Sequence, residues 1–433
     1  MSILGHMRKL LTLLTLSGLV LGLASAAGAE TLEQAWQAAL IANRGLKAVR
    51  ENTAAAAGTA AAAKSAHLPK LDVEAGYLSL DNEQALEANL LGQRLEVPIL
   101  QNNSFFYRVM ATQPLYTGGR IERGIDATKA LHEASREQEI NAEQSLKMKV
   151  AEAYVTVLRT YRLLIQVESH VKSLEAHAYD VDGLYEQGVV VISDQLAARV
   201  ALADARQQHL QVRNAVQLAK AAYNRLLMRP LDKIVTLAEI AFPVGREPLE
   251  QLTSRALDKR KELKTLDRKI EAARYQAQGT RGENRPQVAL SGGYNYLENR
   301  YQVHDGQWLV MLGVQWRLFD GGSVKKRALA IEHQATALEE QRSELASIVS
   351  LQVHQSWLDV EETQKRIVVT EAAIALAEEN LKVVRDRYVN GFCFHTEFLD
   401  AETLRIKSQT SAANACYDSV LANLRLQYAL GEL

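Results

Sequence analysis

The segment RDRYVNGFCFHTEFLDA, Arg385–Ala401, has an earlier counterpart in VDGLYEQGVVVISDQLAA, Val181–Ala198. Laying Tyr185 on Tyr388 also lays Gly188 on Gly391 and Leu196 on Leu399, a constant offset of 203 residues. Nearer the start, Leu32-Glu33-Gln34 repeats as Leu249-Glu250-Gln251, Leu40 as Leu257, Leu46 as Leu263 and Pro69 as Pro286, at an offset of 217. A chain built as a tandem duplication must fold as two related halves. The boundaries that follow are a first repeat over 30–228, a connector over 229–248 holding Pro230, Pro243 and Pro248, and a second repeat over 249–433.

Each repeat opens with an Ala-rich or amphipathic helical segment, Leu32–Ala66 and Leu249–Gln278, with apolar residues at helical spacing. Period-two runs come next. Leu71, Val73, Ala75 and Tyr77 fall on one side of a strand, and Val288, Leu290, Gly292, Tyr294 and Tyr296 on one side of its repeat. Second strands carry Phe105, Tyr107, Val109 and Ala111, and Trp308, Val310, Leu312, Val314 and Trp316. The spacing predicts β-hairpins over 70–116 and 286–319, with Asp81–Ser104 and Glu298–Gln307 as polar loops. The drop in offset from 217 to 203 makes the first loop longer by 14 residues. Trp308 and Trp316 bracket an alternating apolar run, the pattern of an aromatic girdle at either edge of a membrane barrel. A strand of a soluble sandwich alternates in the same way.

The second strands end in PLYTGGR, Pro114–Arg120, and RLFDGGS, Arg317–Ser323. Gly118, Gly119, Gly321 and Gly322 supply the backbone freedom of a strand-to-helix turn. Neither turn continues as a nucleotide-binding loop. Beyond them, all seven prolines lie outside 115–229 and 287–433, so nothing there breaks a helix by ring geometry. Val150, Tyr154, Val157, Tyr161, Leu164 and, after a phase shift, Val171, Leu174, Ala178 and Val181 step by three and four residues. Val353, Trp357, Val360, Ile367, Ile374, Ala377, Leu381, Val384 and Tyr388 answer them in the second repeat. The rhythm is that of coiled coils. An unbroken helix from Arg120 to Tyr185 would run about 100 Å. Long helical hairpins over 120–228 and 323–433 are therefore expected, with returning helices over Asp194–Met228 and Glu397–Leu430.

Arg8 and Lys9, the apolar run Leu10–Leu23 and the small residues through Ala29 read as a secretory signal peptide, 1–29, cleaved after Ala29. No cysteine sits near that point, so a lipid-anchored lipoprotein is not expected. Cys393 and Cys416, the two cysteines, would stand about 34 Å apart on one helix and cannot pair. A formal net charge of −1 gives no reason to expect nucleic acid. His170 and His177 stand one heptad step apart and His395 near the second tip, but no metal-ligand spacing appears. No catalytic constellation, cofactor site or metal site is expected. No stretch after the leader is long and apolar enough for a membrane helix, so a membrane crossing would need a closed barrel. Four strands per chain are too few to close one, which implies an oligomer.

The duplicated plan, with Pro114-Leu115-Tyr116-Thr117-Gly118-Gly119, Leu318-Phe319-Asp320-Gly321-Gly322 and Arg387-Tyr388…Gly391…Leu399-Asp400-Ala401, resembles the TolC family of outer-membrane efflux proteins over about residues 30 to 433. The resemblance implies a mainly α fold with a small β part. Three chains would build a 12-stranded barrel in outer-membrane lipid and a helical barrel across the periplasm. It implies no enzyme, but a passive duct that docks with a periplasmic adaptor and, through it, an inner-membrane pump. The family's periplasmic gate maps to Asp194, Glu397 and Asp400, with Arg385, Arg387 and Tyr388 as partners, the arginines for Asp194. Cys393 stands where a relative carries a clasping arginine. Gly188, Val189, Val190, Gly391, Phe392 and Phe394 form apolar tips suited to adaptor docking. The expected function is the exit duct of a tripartite efflux pump for small molecules or drugs. Type I protein secretion is the alternative within the fold, and a soluble periplasmic coiled-coil scaffold the alternative of another class.

Overall fold

The computed structural model describes residues 28–90, 92–240 and 247–433. The leader, apart from its last two residues, and the middle of the connector with Pro243 lie outside them. The described elements are mostly helical. Helices α1 (Leu32–Ala42) and α2 (Arg44–Lys64) precede strands β1 (Lys70–Ser79), β2 (Gln84–Leu90), β3 (Gln93–Leu100) and β4 (Asn103–Tyr116). Helices α3 (Arg120–Glu186) and α4 (Ile192–Leu226) complete the first repeat. The second contains α5 (Leu249–Lys259), α6 (Lys261–Arg281), β5 (Gln287–Leu297), β6 (Gly306–Gln315), α7 (Ser323–Val389) and α8 (His395–Ala429).

Three sequence expectations need correction. The leading helices are each broken in two, at Asn43 and at Arg260, which are equivalent positions of the repeat. Asn43 turns to an extended ψ of 122° and its side chain caps the Leu46 amide. Arg260 adopts ψ 123° and its buried guanidinium meets Glu262, Gln352 and the Ala429 carbonyl. The supposed polar loop 81–104 is largely a two-stranded ribbon, β2 with β3, in which Leu86 opposes Val97 and Ala88 opposes Leu95. That ribbon accounts for the extra length of the first loop. Strand β6 ends at Gln315, one residue before Trp316, whose indole nitrogen donates to the Asn284 carbonyl at 3.0 Å.

The chain forms two compact units. One comprises the described residues of 43–148, 245–362 and 422–433. It contains a four-stranded sheet of order β1-β4-β5-β6, antiparallel throughout. Register puts Val73, Val109, Tyr294 and Trp308 in one row and Leu71, Ala111, Gly292 and Val310 in the next, all on one face. That face is apolar and open: Val73 is 70%, Trp308 80% and Val310 81% exposed. The opposite face carries rows such as Glu74, Arg108, Asn295 and Gln307. Aromatic rings gather at one end of the apolar face, where Tyr107 stacks on Tyr296 at 4.8 Å and Tyr294 meets Trp308 edge-on at 5.2 Å. Tyr116 and Trp316 stand toward the other end. Below the sheet turns, Thr117 and Asp320 cap α3 and α7 by accepting from the Ile121 and Val324 amides. Gly118 has a φ of 66°, and a Cβ there would meet the Gly282 carbonyl at 2.5 Å, so two constraints select glycine. Leu252 and Ala256 pack with Val349, Val353, Ala429 and Leu430 as this unit's apolar cluster.

The other unit comprises the described residues of 1–42, 149–244 and 363–421. Ala198, Ala205, Val212 and Ala219, seven residues apart on α4, are all buried, as are Val167, Leu174 and Val181 on α3. The period is that of the coiled-coil rhythm read from the sequence, of whose residues Leu174, Ala178 and Val181 are buried and Leu164 and Val171 half-buried, with one exposed. Tyr161 is half exposed, because the apolar stripe slips phase there, and Lys220 lies 5.8 Å from its ring centre. At the chain's start Glu30 grips Arg229 through two hydrogen bonds of 2.7 and 2.9 Å and accepts a third from Tyr223.

Candidate functional site

Both hairpin tips are closed by the same device. At the end of α3 the Val189 amide donates to the Leu184 carbonyl and the Gly188 amide to Tyr185; at the end of α7 Phe392 donates to Arg387 and Gly391 to Tyr388. These are Schellman caps, and they require the left-handed backbone that Gly188 (φ 73°) and Gly391 (φ 75°) supply. The cap throws the following residues outward. Val189 is exposed, and Phe392 and Phe394 are 75% and 79% exposed, while Val190 packs on Ala178, Val181 and Ala198.

The sequence-predicted gate residues sit just past these caps. Asp194 lies in the first turn of α4 and Glu397 in the first turn of α8, where carboxylates also favour the helix dipole. Glu397 accepts from the Phe394 amide at 3.3 Å, and Arg387 approaches it to 3.6 Å while donating to the Phe392 carbonyl. Arg387 is thus engaged inside its own hairpin rather than with Asp194 as expected. Arg385 lines a cavity of about 850 Å³ with Tyr179, Asp180, Tyr388 and Glu402. Asp194 acts electrostatically on Tyr388 and His395 instead. Asp400 is exposed. Cys393 donates weakly to the Val384 carbonyl, and both cysteines are free.

Behind the tips runs a seam that sequence reasoning missed. His395, Phe398, Glu402, Arg405 and Gln409 step by three and four along α8 and meet α3. His177 stacks on Phe398 at 4.0 Å and on His395 at 4.9 Å, with His177 Nε2 3.2 Å from His395 Nδ1. His170 Nδ1 stands 3.3 Å from Glu402, which also takes two hydrogen bonds from Arg405, at 2.6 and 3.1 Å. Farther along, Gln166 donates to the Gln409 carbonyl at 3.1 Å, and Asp418 bridges Arg159 of α3 and Arg366 of α7. Burial by itself would raise the Glu402 carboxyl. The hydrogen bonds from His170 and Arg405 outweigh it and hold the group down at about 2. Burial lowers His177 to about 4, assisted by repulsion from His395 and Arg385. His395 is lowered by burial too, against the field of Asp194. A signal for the seam was present: His170 and His177 fall three residues after the buried Val167 and Leu174, on the coiled-coil core face, where a polar side chain needs a partner.

The sequence profile of the outer membrane efflux protein family matches residues 35–227 and 252–432. The chain is 22% identical over 437 residues to outer membrane protein TolC of Vibrio cholerae, covering 99% of this chain and 96% of that one. It is 23% identical over 353 residues to the alkaline protease secretion protein AprF of Pseudomonas aeruginosa, covering 76% and 70%. Among solved structures, the outer membrane protein VceC of Vibrio cholerae superposes with a TM-score of 0.79 at 18% identity, over 92% of this chain and 96% of that one.

Proposed function

The chain belongs to the outer membrane efflux protein family, and on that premise we propose that it is the trimeric outer-membrane exit duct of a tripartite efflux pump. The observation that carries this reading is the sheet. Its apolar face is open, its other face is polar, and its edge strands β1 and β6 have unpaired backbone groups. Hydrocarbon tolerates neither open edges nor four-stranded barrels. Three antiparallel steps separate β1 from β6, so the two edges run in opposite directions. The β6 of one copy laid beside the β1 of the next therefore continues the antiparallel pattern, and three copies supply 12 strands, a barrel of ordinary size. The aromatic cluster at one end of the apolar face, and Tyr116 and Trp316 toward the other, suit the two lipid interfaces. Among the described residues no helix is long and apolar enough to cross a membrane, which leaves the sheet to do so.

In this arrangement Asp194, Glu397 and Asp400 recur by threefold symmetry as carboxylate rings that concentrate cations at the periplasmic entrance. The exposed tip residues Gly188, Val189, Gly391, Phe392 and Phe394 receive the hairpins of a periplasmic adaptor, which links the duct to an energised inner-membrane pump. The chain itself carries out no reaction. A second reading, the exit of a type I protein-secretion system, is favoured by the likeness to AprF, a protease secretion protein. A soluble periplasmic scaffold does not account for the open apolar sheet face. The test is membrane fractionation followed by conductance of the purified protein in planar bilayers. A heat-modifiable trimer in the outer membrane, with a cation-selective conductance that loses selectivity in Glu397→Gln/Asp400→Asn, supports the reading. A monomer in the water-soluble fraction, without conductance, overturns it.

A further inference from the structure

The pair His177 and His395 joins two helices that have no covalent link nearby. His177 belongs to α3 and is 6% exposed; His395 opens α8 and is 4% exposed. Their rings are nearly parallel, 12° apart, and a single hydrogen bond joins Nε2 of one to Nδ1 of the other. That bond needs one nitrogen with a proton and one without. Phe398 stacks on His177 at 4.0 Å, and Tyr388 approaches both imidazole rings. A first added proton leaves an N–H···N bond between the rings but places a cation in a buried, largely aromatic enclosure with no carboxylate in contact, and a second removes the acceptor altogether.

We propose that the His177–His395 pair is a proton-released latch that fastens the start of α8 to α3, so that acidification around the tips loosens the second hairpin tip. The latch rests on the exit-duct reading only for its physiological use, as a control on tip opening. The charged and titratable groups around it are His170 and Asp180 from α3, Asp194 from α4, Arg385 and Tyr388 from α7, and Glu402 and Arg405 from α8. Glu402 is committed to His170 and Arg405. Burial, His395 and Arg385 oppose a positive charge on His177 and outweigh the field of Glu402, which favours one; Asp194 favours one on His395. The balance therefore disfavours protonation at His177 while the tip is fastened.

The sign follows from linkage. In a loosened tip an imidazole returns to about 6.5, whereas the fastened His177 lies at about 4. The fastened state keeps its full advantage above the loosened value and loses it as pH falls between the two. At about pH 5 the equilibrium moves toward the loosened tip by about thirtyfold relative to about pH 7.5. Glu402, held at about 2, does not titrate in that window.

The experiment is hydrogen exchange of the full-length purified protein at about pH 7.5 and about pH 5, corrected for the intrinsic pH dependence of exchange. Peptides over 170–182 and 388–402 are followed, with bilayer conductance as a parallel readout. We expect protection of both segments to fall by at least tenfold in the wild type and to stay level in His177→Phe, which keeps a ring on Phe398 but binds no proton. His395→Asn supplies the same test should the phenylalanine variant misfold. Equal protection at the two pH values in the wild type, or the same loss in both folded variants, overturns the latch. Conductance that is absent while the pH-dependent exchange persists refutes the duct and leaves the latch standing; the converse refutes the latch alone.

Discussion

The seams inside the two hairpins and the seam between α3 and α8 use the same helical geometry with opposite chemistry. Within the first hairpin, Ala178, Val181 and Ala198 close on one another; within the second, Val384, Phe398 and Ala401 do. These buried cores are apolar, with Tyr388 and Cys393 at their margin and the ion pairs Arg199–Asp182 and Arg387–Glu397 at more exposed edges. Between α3 and α8 the contacts are histidine, carboxylate, guanidinium and amide groups. Burying polar groups is costly unless each is satisfied, and it is often no more stabilising than an apolar replacement. What polar seams add is register and sensitivity to a proton or a charge. The difference teaches that each hairpin is built to stay shut upon itself, while the joint between hairpins is the one that conditions can alter.

Five substitutions would break or sharpen this contrast. The largest effect is expected for Glu402→Ala, which strands His170 and Arg405. It should cost about 4 kcal/mol in urea unfolding and raise hydrogen exchange along α3 and α8 together. Because the folded carboxyl is held at about 2 against an ordinary 4.5, its contribution is present above 4.5 and lost as pH falls toward 2; the variant should lack that acid-induced decline. Leu174→Ala, on the apolar side, should cost about 3 kcal/mol with no change in pH dependence. A pH-dependent loss there would erase the distinction. Gly391→Val should cost about 2 kcal/mol through its left-handed backbone and should block adaptor cross-linking at the tip; Gly188→Val should match it, since the caps are equivalent. The smallest change is expected for Arg199→Ala. Its exposed pair with Asp182, at 3.1 Å, occupies the repeat position of buried Glu402 and should contribute under about 1 kcal/mol.

Much of this fold was legible because it was written twice. Matching tyrosines, glycines and prolines gave the repeat, and the three-and-four spacing of Leu174, Ala178 and Val181 survives as burial. What stayed hidden depends on contacts distant in sequence. His177 and His395 are 218 residues apart, and only tertiary packing brings their rings together. The break at Asn43 carries an N-cap residue but no proline to stop the helix before it, and the break at Arg260 carries no local signal at all. The β2–β3 ribbon was missed for a different reason. Leu86, Leu95, Val97 and Ile99 alternate with Glu87, Arg94 and Glu96, but flanking charges made the stretch read as a polar loop. At the tips, glycine placement predicted the turn, whereas the partner of Arg387 was set by the tightness of that turn, which brings Glu397 and the Phe392 carbonyl within its reach.

The antiparallel order of the sheet has a consequence for how such a chain could arise. Each half sends one strand outward and brings one back, so it departs from and returns to the same rim. Doubling such a half, or fusing two separate ones, leaves every strand neighbour and every direction unchanged. In the proposed barrel, the number of polypeptides around the ring would then be free to halve or double across evolution while the number of staves stayed fixed.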